Sequence, residues 1–118
     1  MKAFIKIKEN RDFRRIYGRG KSFVSPYAVV YLLKNRANNI RLGITAGKKV
    51  GGAVARNRAK RVIRAAFSGC LPQLMCGYDF IIVARPRILT VKSTVVEASL
   101  RKLFISAGVY EENEKLVD

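Results

Sequence analysis

The sequence contains no histidine, no tryptophan, only two cysteines, and eight acidic residues against 24 lysines and arginines. Without histidine, the side chain that titrates nearest neutral pH is missing, and with it the commonest general base and metal ligand. Cys70 and Cys76 form no CxxC pair, match no metal-ligand spacing and read as free thiols. The paired acids Glu9 and Asp12 stand beside Lys8 and Arg11, which marks a helix start rather than a catalytic dyad. The phosphate-loop pattern GxxxxGK[ST] is absent, so nucleotide hydrolysis is not expected. The apolar run 80–84 (FIIVA) is far short of the roughly 18 residues of a membrane span. The start MKAFIKIKEN alternates basic with single apolar residues and lacks the apolar block of a secretory signal, so a cytoplasmic location is expected. No catalytic residue and no metal ligand is assigned to the chain.

What is there is positive charge, unevenly placed. The formal net charge is +16, residues 1–110 carry 23 of the basic residues and four of the acids, and no acid stands between Asp12 and Asp79. Such a field concerns partners rather than fold, and nucleic acid or an anionic membrane are the candidates. Length bounds the chain to a single domain over residues 1–110. Residues 111–118 form an acidic tail that is expected to fray.

The charge is densest over residues 48–67, KKVGGAVARNRAKRVIRAAF. Wound at about 100° per residue, residues 53–67 place Ala55, Ala59, Val62, Ile63, Ala66 and Phe67 on one arc. Arg56, Asn57, Arg58, Lys60, Arg61 and Arg64 fill the other. These cations have no acid three or four residues away, and each like-charge pair costs a few tenths of a kcal/mol. A solvated salt-bridged face mixes both signs; this one does not, so a polyanion is its expected partner. The apolar arc is half alanine, too small for membrane insertion. Gly47, Gly51 and Gly52 bracket Lys48 and Lys49 just before the helix, where backbone amides and the dipole favour a diffuse phosphate contact.

Along the chain, Ile7, Phe13, Ile16 and Tyr17 at helical spacing predict a first helix over 10–17, with Asn10 as N-cap and Gly18 and Gly20 as stop signals. Residues 22–33 predict one strand beginning at an edge near Pro26. Period two points Tyr27, Val29 and Tyr31 one way and Ala28, Val30 and Leu32 the other. After a turn over 34–39, residues 40–46 predict a second strand paired antiparallel to the first. The sheet would then present one aliphatic face to helices and one face bearing Tyr27, Tyr31, Arg41 and Thr45. With Phe13 and Tyr17 beside it, that second face suits stacking of unpaired bases. Residues 68–77 read as a loop, and 78–84 (YDFIIVA) as a central strand covered on both faces. Thr90 is the expected cap of a last helix with Val96, Leu100, Leu103, Phe104 and Ala107 inward and Gly108 at its end.

The run Val54, Arg56, Asn57, Arg58, Lys60, Arg61 and Arg64, with Lys48-Lys49 before it, Asp12-Phe13 in the first helix and the FIIVAR strand after it, closely resembles the protein subunits of bacterial ribonuclease P. The resemblance implies an α/β fold, a two-layer α+β sandwich of order αβββαβα. It also implies a left-handed βαβ crossover at the basic helix, as in the second domain of ribosomal protein S5. It implies that Lys48, Lys49, Arg56, Asn57, Arg58, Lys60, Arg61 and Arg64 bind the catalytic RNA. Phe13, Tyr17 and Tyr31 would line a cleft for the 5′ leader of precursor tRNA, with Tyr27 and Arg41 added from the sheet-face reading. The family often has an acid after the position of Arg64 and a base after that of Phe67, where Ala65 and Ser68 stand here.

By the same resemblance the protein is a non-catalytic subunit of an endonuclease. The RNA performs the chemistry and mainly holds the Mg²⁺; the partners are ribonuclease P RNA and precursor tRNA, with no membrane and no obligate protein partner evident. Two rival readings are a ribosome-associated RNA-binding protein and a nuclease acting alone.

Overall fold

The computed structural model describes residues 2–111. A two-residue strand β1 (Ile5–Lys6) precedes helix α1 (Asn10–Arg19), and strands β2 (Lys21–Val24), β3 (Ala28–Lys34) and β4 (Ile40–Thr45) follow. Helix α2 (Ala53–Cys70) leads through a 3₁₀ turn to strand β5 (Tyr78–Ala84), and a second 3₁₀ turn, Pro86–Thr90, leads to helix α3 (Ser93–Ala107). The expected αβββαβα order is present, with β1 added in front.

The sheet runs β1-β4-β5-β3-β2. β5 is antiparallel to β3 and parallel to β4, so α2 is the crossover between parallel neighbours. This corrects the expected hairpin: β3 and β4 run antiparallel, but β5 lies between them. The apolar run of β5 is the reason, since a strand without a polar face is stable only where both faces are covered. The single strand expected over 22–33 is likewise two, β2 and β3, paired antiparallel with Ser22 opposite Tyr31. Ser25 makes the turn between them, its Oγ accepting from the backbone N–H groups of Tyr27 and Ala28 at 3.1 and 3.2 Å.

Strand alternation assigns the two sheet faces. Ala28, Val30, Leu32, Ile40, Leu42, Phe80 and Ile82 join the buried residues of α2 and α3 in the larger core. There Phe67, Phe80 and Phe104 meet edge-on, with centroids 5.3 to 6.1 Å apart. On the opposite face, Ile7, Ile16 and Ile81 form a smaller core under α1, with Phe13, Tyr31, Leu33 and Val83 packed against it. Two expected caps are corrected. α1 is preceded by Glu9 as N-cap and α3 by Lys92, neither with a side-chain capping bond. Thr90 Oγ1 instead donates to the Arg87 carbonyl inside the 3₁₀ turn, at 2.7 Å. Gly108 ends α3 as expected, in the left-handed conformation (φ 79°) that glycine adopts without a Cβ clash. The tail expected to fray, 111–118, lies outside the described residues except for Glu111.

Candidate nucleic-acid interface

The basic helix is anchored by Ala59, Ile63, Ala66, Phe67 and Cys70, all fully buried. That anchoring fixes the opposite arc toward solvent: Asn57, Arg58, Arg61 and Arg64 are exposed, and Arg56 and Lys60 are half-buried along their stems. Among the described residues, no ion pair engages Arg56, Arg58, Lys60, Arg61 or Arg64; the ion-paired cations are Arg15, Arg41 and Arg101. The approach is a tight turn in which the Val50 and Gly51 N–H groups donate to the Gly47 and Lys48 carbonyls at 3.1 Å, leaving Lys48 and Lys49 exposed. Gly51 has φ 141°, and a Cβ there would meet Ala55 Cβ at 2.9 Å, so this turn requires glycine. Gly52 at the N-cap has no side chain, and the first turn of α2 has no acid, so no side-chain cap takes its amides.

The second surface lies across the sheet, where α1 crosses the face opposite α2. It brings together three of the expected aromatic residues. Phe13 and Tyr17 are tilted with centroids 6.2 Å apart, and Tyr17 meets Tyr31 edge-on at 4.8 Å. Tyr17 is 40 % exposed, large for an aromatic ring, and Phe13 and Tyr31 are half-buried.

Tyr27 does not join them. It stands in the bend before β3, where the strand alternation has not begun, and it packs against the larger core on the helix side. The Arg87 guanidinium lies 6.0 Å from its ring centroid. Arg41 does face the α1 side, but its charge is met from two elements: Nε is 3.1 Å from Asp79 Oδ1 and Nη2 is 3.3 Å from Asp12 Oδ2, without hydrogen-bond geometry.

The same two acids hold Arg15, which donates from Nη1 to Asp12 at 3.1 Å and from Nη2 to Asp79 at 3.0 Å. Asn35 Nδ2 donates to Asp79 Oδ1 at 2.8 Å. Two carboxylates and two guanidiniums thus form a neutral ring at one end of the aromatic surface. Asp79, 1 % exposed, is the residue that sequence reasoning passed over. Its signal was available: a lone acid in the apolar run YDFIIVA must be partnered if the strand is buried.

Among the described residues, no group of three potential metal ligands occurs, and Asp12 and Asp79 are already engaged by arginines. The described residues therefore do not fit a magnesium site of their own. No helix among the described residues is long and apolar enough to cross a membrane.

Comparison with known proteins agrees with the fold. The ribonuclease P family model matches residues 1–108. The ribonuclease P protein component of Clostridium beijerinckii is 38 % identical over 116 residues, covering 92 % of this chain and 93 % of the relative. That of Thermoanaerobacter pseudethanolicus is 32 % identical over 114 residues, covering 97 % and 98 %. Among solved structures, the Staphylococcus aureus RNase P protein superposes with a TM-score of 0.78 at 36 % identity, over 90 % of this chain and 97 % of that one. The Thermotoga maritima RNase P protein does so with a TM-score of 0.74 at 31 % identity, over 83 % and 93 %. The chain belongs to the ribonuclease P protein family.

Proposed function

We propose that this component of ribonuclease P binds the catalytic RNA through α2 and its approach, and the 5′ leader of precursor tRNA on the aromatic face of the sheet. The observation that carries the reading is the separation of two surfaces of different chemistry. Uncompensated cations on α2 suit a folded RNA backbone, whereas Phe13, Tyr17 and Tyr31 suit unpaired bases. One sheet between them lets a single small domain touch both RNAs at once.

In this reading the protein performs no bond cleavage. Hydrolysis of the phosphodiester preceding the mature tRNA 5′ end is assigned to the RNA subunit and the Mg²⁺ that it holds. The cations of α2 relieve repulsion between phosphates, and the aromatic face adds contacts that mature tRNA lacks. Arg41, tied to Asp12 and Asp79, positions α1 on the sheet instead of meeting a leader phosphate. The complex acts in the cytoplasm.

Reconstitution tests the reading. Added to ribonuclease P RNA at low Mg²⁺, the protein restores 5′ processing of precursor tRNA, and leader-bearing substrate binds more tightly than mature tRNA. A ribosome-associated protein would restore nothing, and cleavage by the RNA-free protein would assign the chemistry to the chain itself.

A further inference from the structure

Between the edge strand β1 and the flank of α2 lies a semi-enclosed pocket of about 110 Å³. Its floor is apolar, made by Phe4, Leu42 and Ile44, and its rim carries Lys6, Lys60 and Arg64. The sequence builds it from three elements. Lys6 pairs in register with Leu42 and so shares that residue's side of the sheet. Lys60 and Arg64 are one helical turn apart, on the flank of α2 that borders the strand edge. Phe4 is pinned edge-on against Phe67, with centroids 5.5 Å apart.

Size and charge narrow the occupant. At roughly 30 Å³ for each water in the liquid, the volume is that of a few waters, well below the ~300–1,000 Å³ of small-molecule sites. It has room for one planar ring. No acid lines it, so three cations converge on an apolar hollow with nothing of opposite charge, an arrangement complementary to a phosphate attached to a flat base.

We propose that this pocket receives one unpaired nucleotide of the RNA subunit, its base against Phe4, Leu42 and Ile44 and its phosphates met by Lys6, Lys60 and Arg64. The proposal rests on the reading that α2 faces that RNA. Because the floor offers no side-chain donor or acceptor, the base is selected by shape rather than by hydrogen bonds, as on other stacking platforms.

The test uses the full chain and ribonuclease P RNA. Ile44→Phe fills the pocket without changing its charge, and its folding is checked by thermal melting. Affinity for the RNA falls by about tenfold, and the slope of log K against log salt is unchanged. Lys6→Gln, at an exposed position, lowers affinity and reduces the slope by about one. In nucleotide-resolution chemical probing, one unpaired nucleotide protected by the wild-type protein becomes reactive with either variant. Wild-type affinity and protection in Ile44→Phe overturn the pocket; if that variant does not fold, unchanged protection and slope in Lys6→Gln overturn it instead. Failure of the wild-type protein to bind the RNA would instead overturn the assignment of α2.

Discussion

The ring of Phe13 lies so close over Gly43 that a Cβ on that glycine would sit 2.7 Å from Phe13 Cζ. α1 therefore rests through Phe13 on a strand position where a side chain would force that ring to move, and Phe13 takes its height above the sheet from it. Gly43→Ala should destabilise the fold by roughly 1–3 kcal/mol through overpacking and weaken binding of leader-bearing tRNA. Gly18, on the same helix, has nothing within 4 Å of such a Cβ. Gly18→Ala should stabilise by about 0.5–1 kcal/mol. Denaturant midpoints of the two variants should move in opposite directions.

Tyr31 and Arg58 stand on opposite faces of the sheet, so their losses should separate. Tyr31→Ala should weaken binding of leader-bearing tRNA by about 1–3 kcal/mol for each base stacked there and leave mature tRNA unaffected. Arg58→Ala should weaken binding to the RNA subunit and lower its salt slope by about one. Equal losses for mature and leader-bearing tRNA in the Tyr31 variant would remove the leader from this face.

Asp79 neutralises Arg15 and Arg41 from a position that is 1 % exposed. Asp79→Asn keeps the volume and removes the charge, leaving the two guanidiniums to share the single carboxylate of Asp12. The expected loss is about 3 kcal/mol, the low end for breaking a buried pair, because the Arg15 side chain is 40 % exposed. A double-mutant cycle with Arg41→Met, read by urea unfolding, should recover part of that loss. Additive losses would show that the two residues are energetically independent.

The two thiols should behave differently. Burial, reinforced by the charge of Glu97 and partly offset by Arg101, pushes the Cys70 thiol from its ordinary 9.0 up to about 12. Cys76 is exposed. At pH 8 an alkylating reagent should add one label to the native protein, at Cys76, and two after unfolding, counted by mass spectrometry. The folded pKa is the higher one, so the stabilising contribution is whole below pH 9 and declines as pH rises from 9 toward 12. Cys70→Ala should flatten that decline.

Local pattern was sufficient for much of this protein. The helical period over residues 53–67 separated anchor from cation face, and the structure buries Ala59, Ile63, Ala66 and Phe67 as that period requires. The apolar run of β5 placed it at the centre of the sheet, because the lack of a polar face is itself a statement about burial on both sides. Phe13 and Tyr17 shared a helix face on spacing alone.

Tertiary structure decided what depends on residues far apart in the chain. Turn signals between β3 and β4 suggest a hairpin, yet nothing local reports that β5, more than thirty residues later, pairs with both of them. The side on which Tyr27 falls depended on a Ser25 turn that interrupts strand parity. Arg41 looked free for RNA because its neighbours in sequence carry no acid. The β4–β5 pairing sets Asp79 opposite Arg41, and the packing of α1 on that face brings Asp12; a charge is neutralised by neighbours in space rather than in sequence.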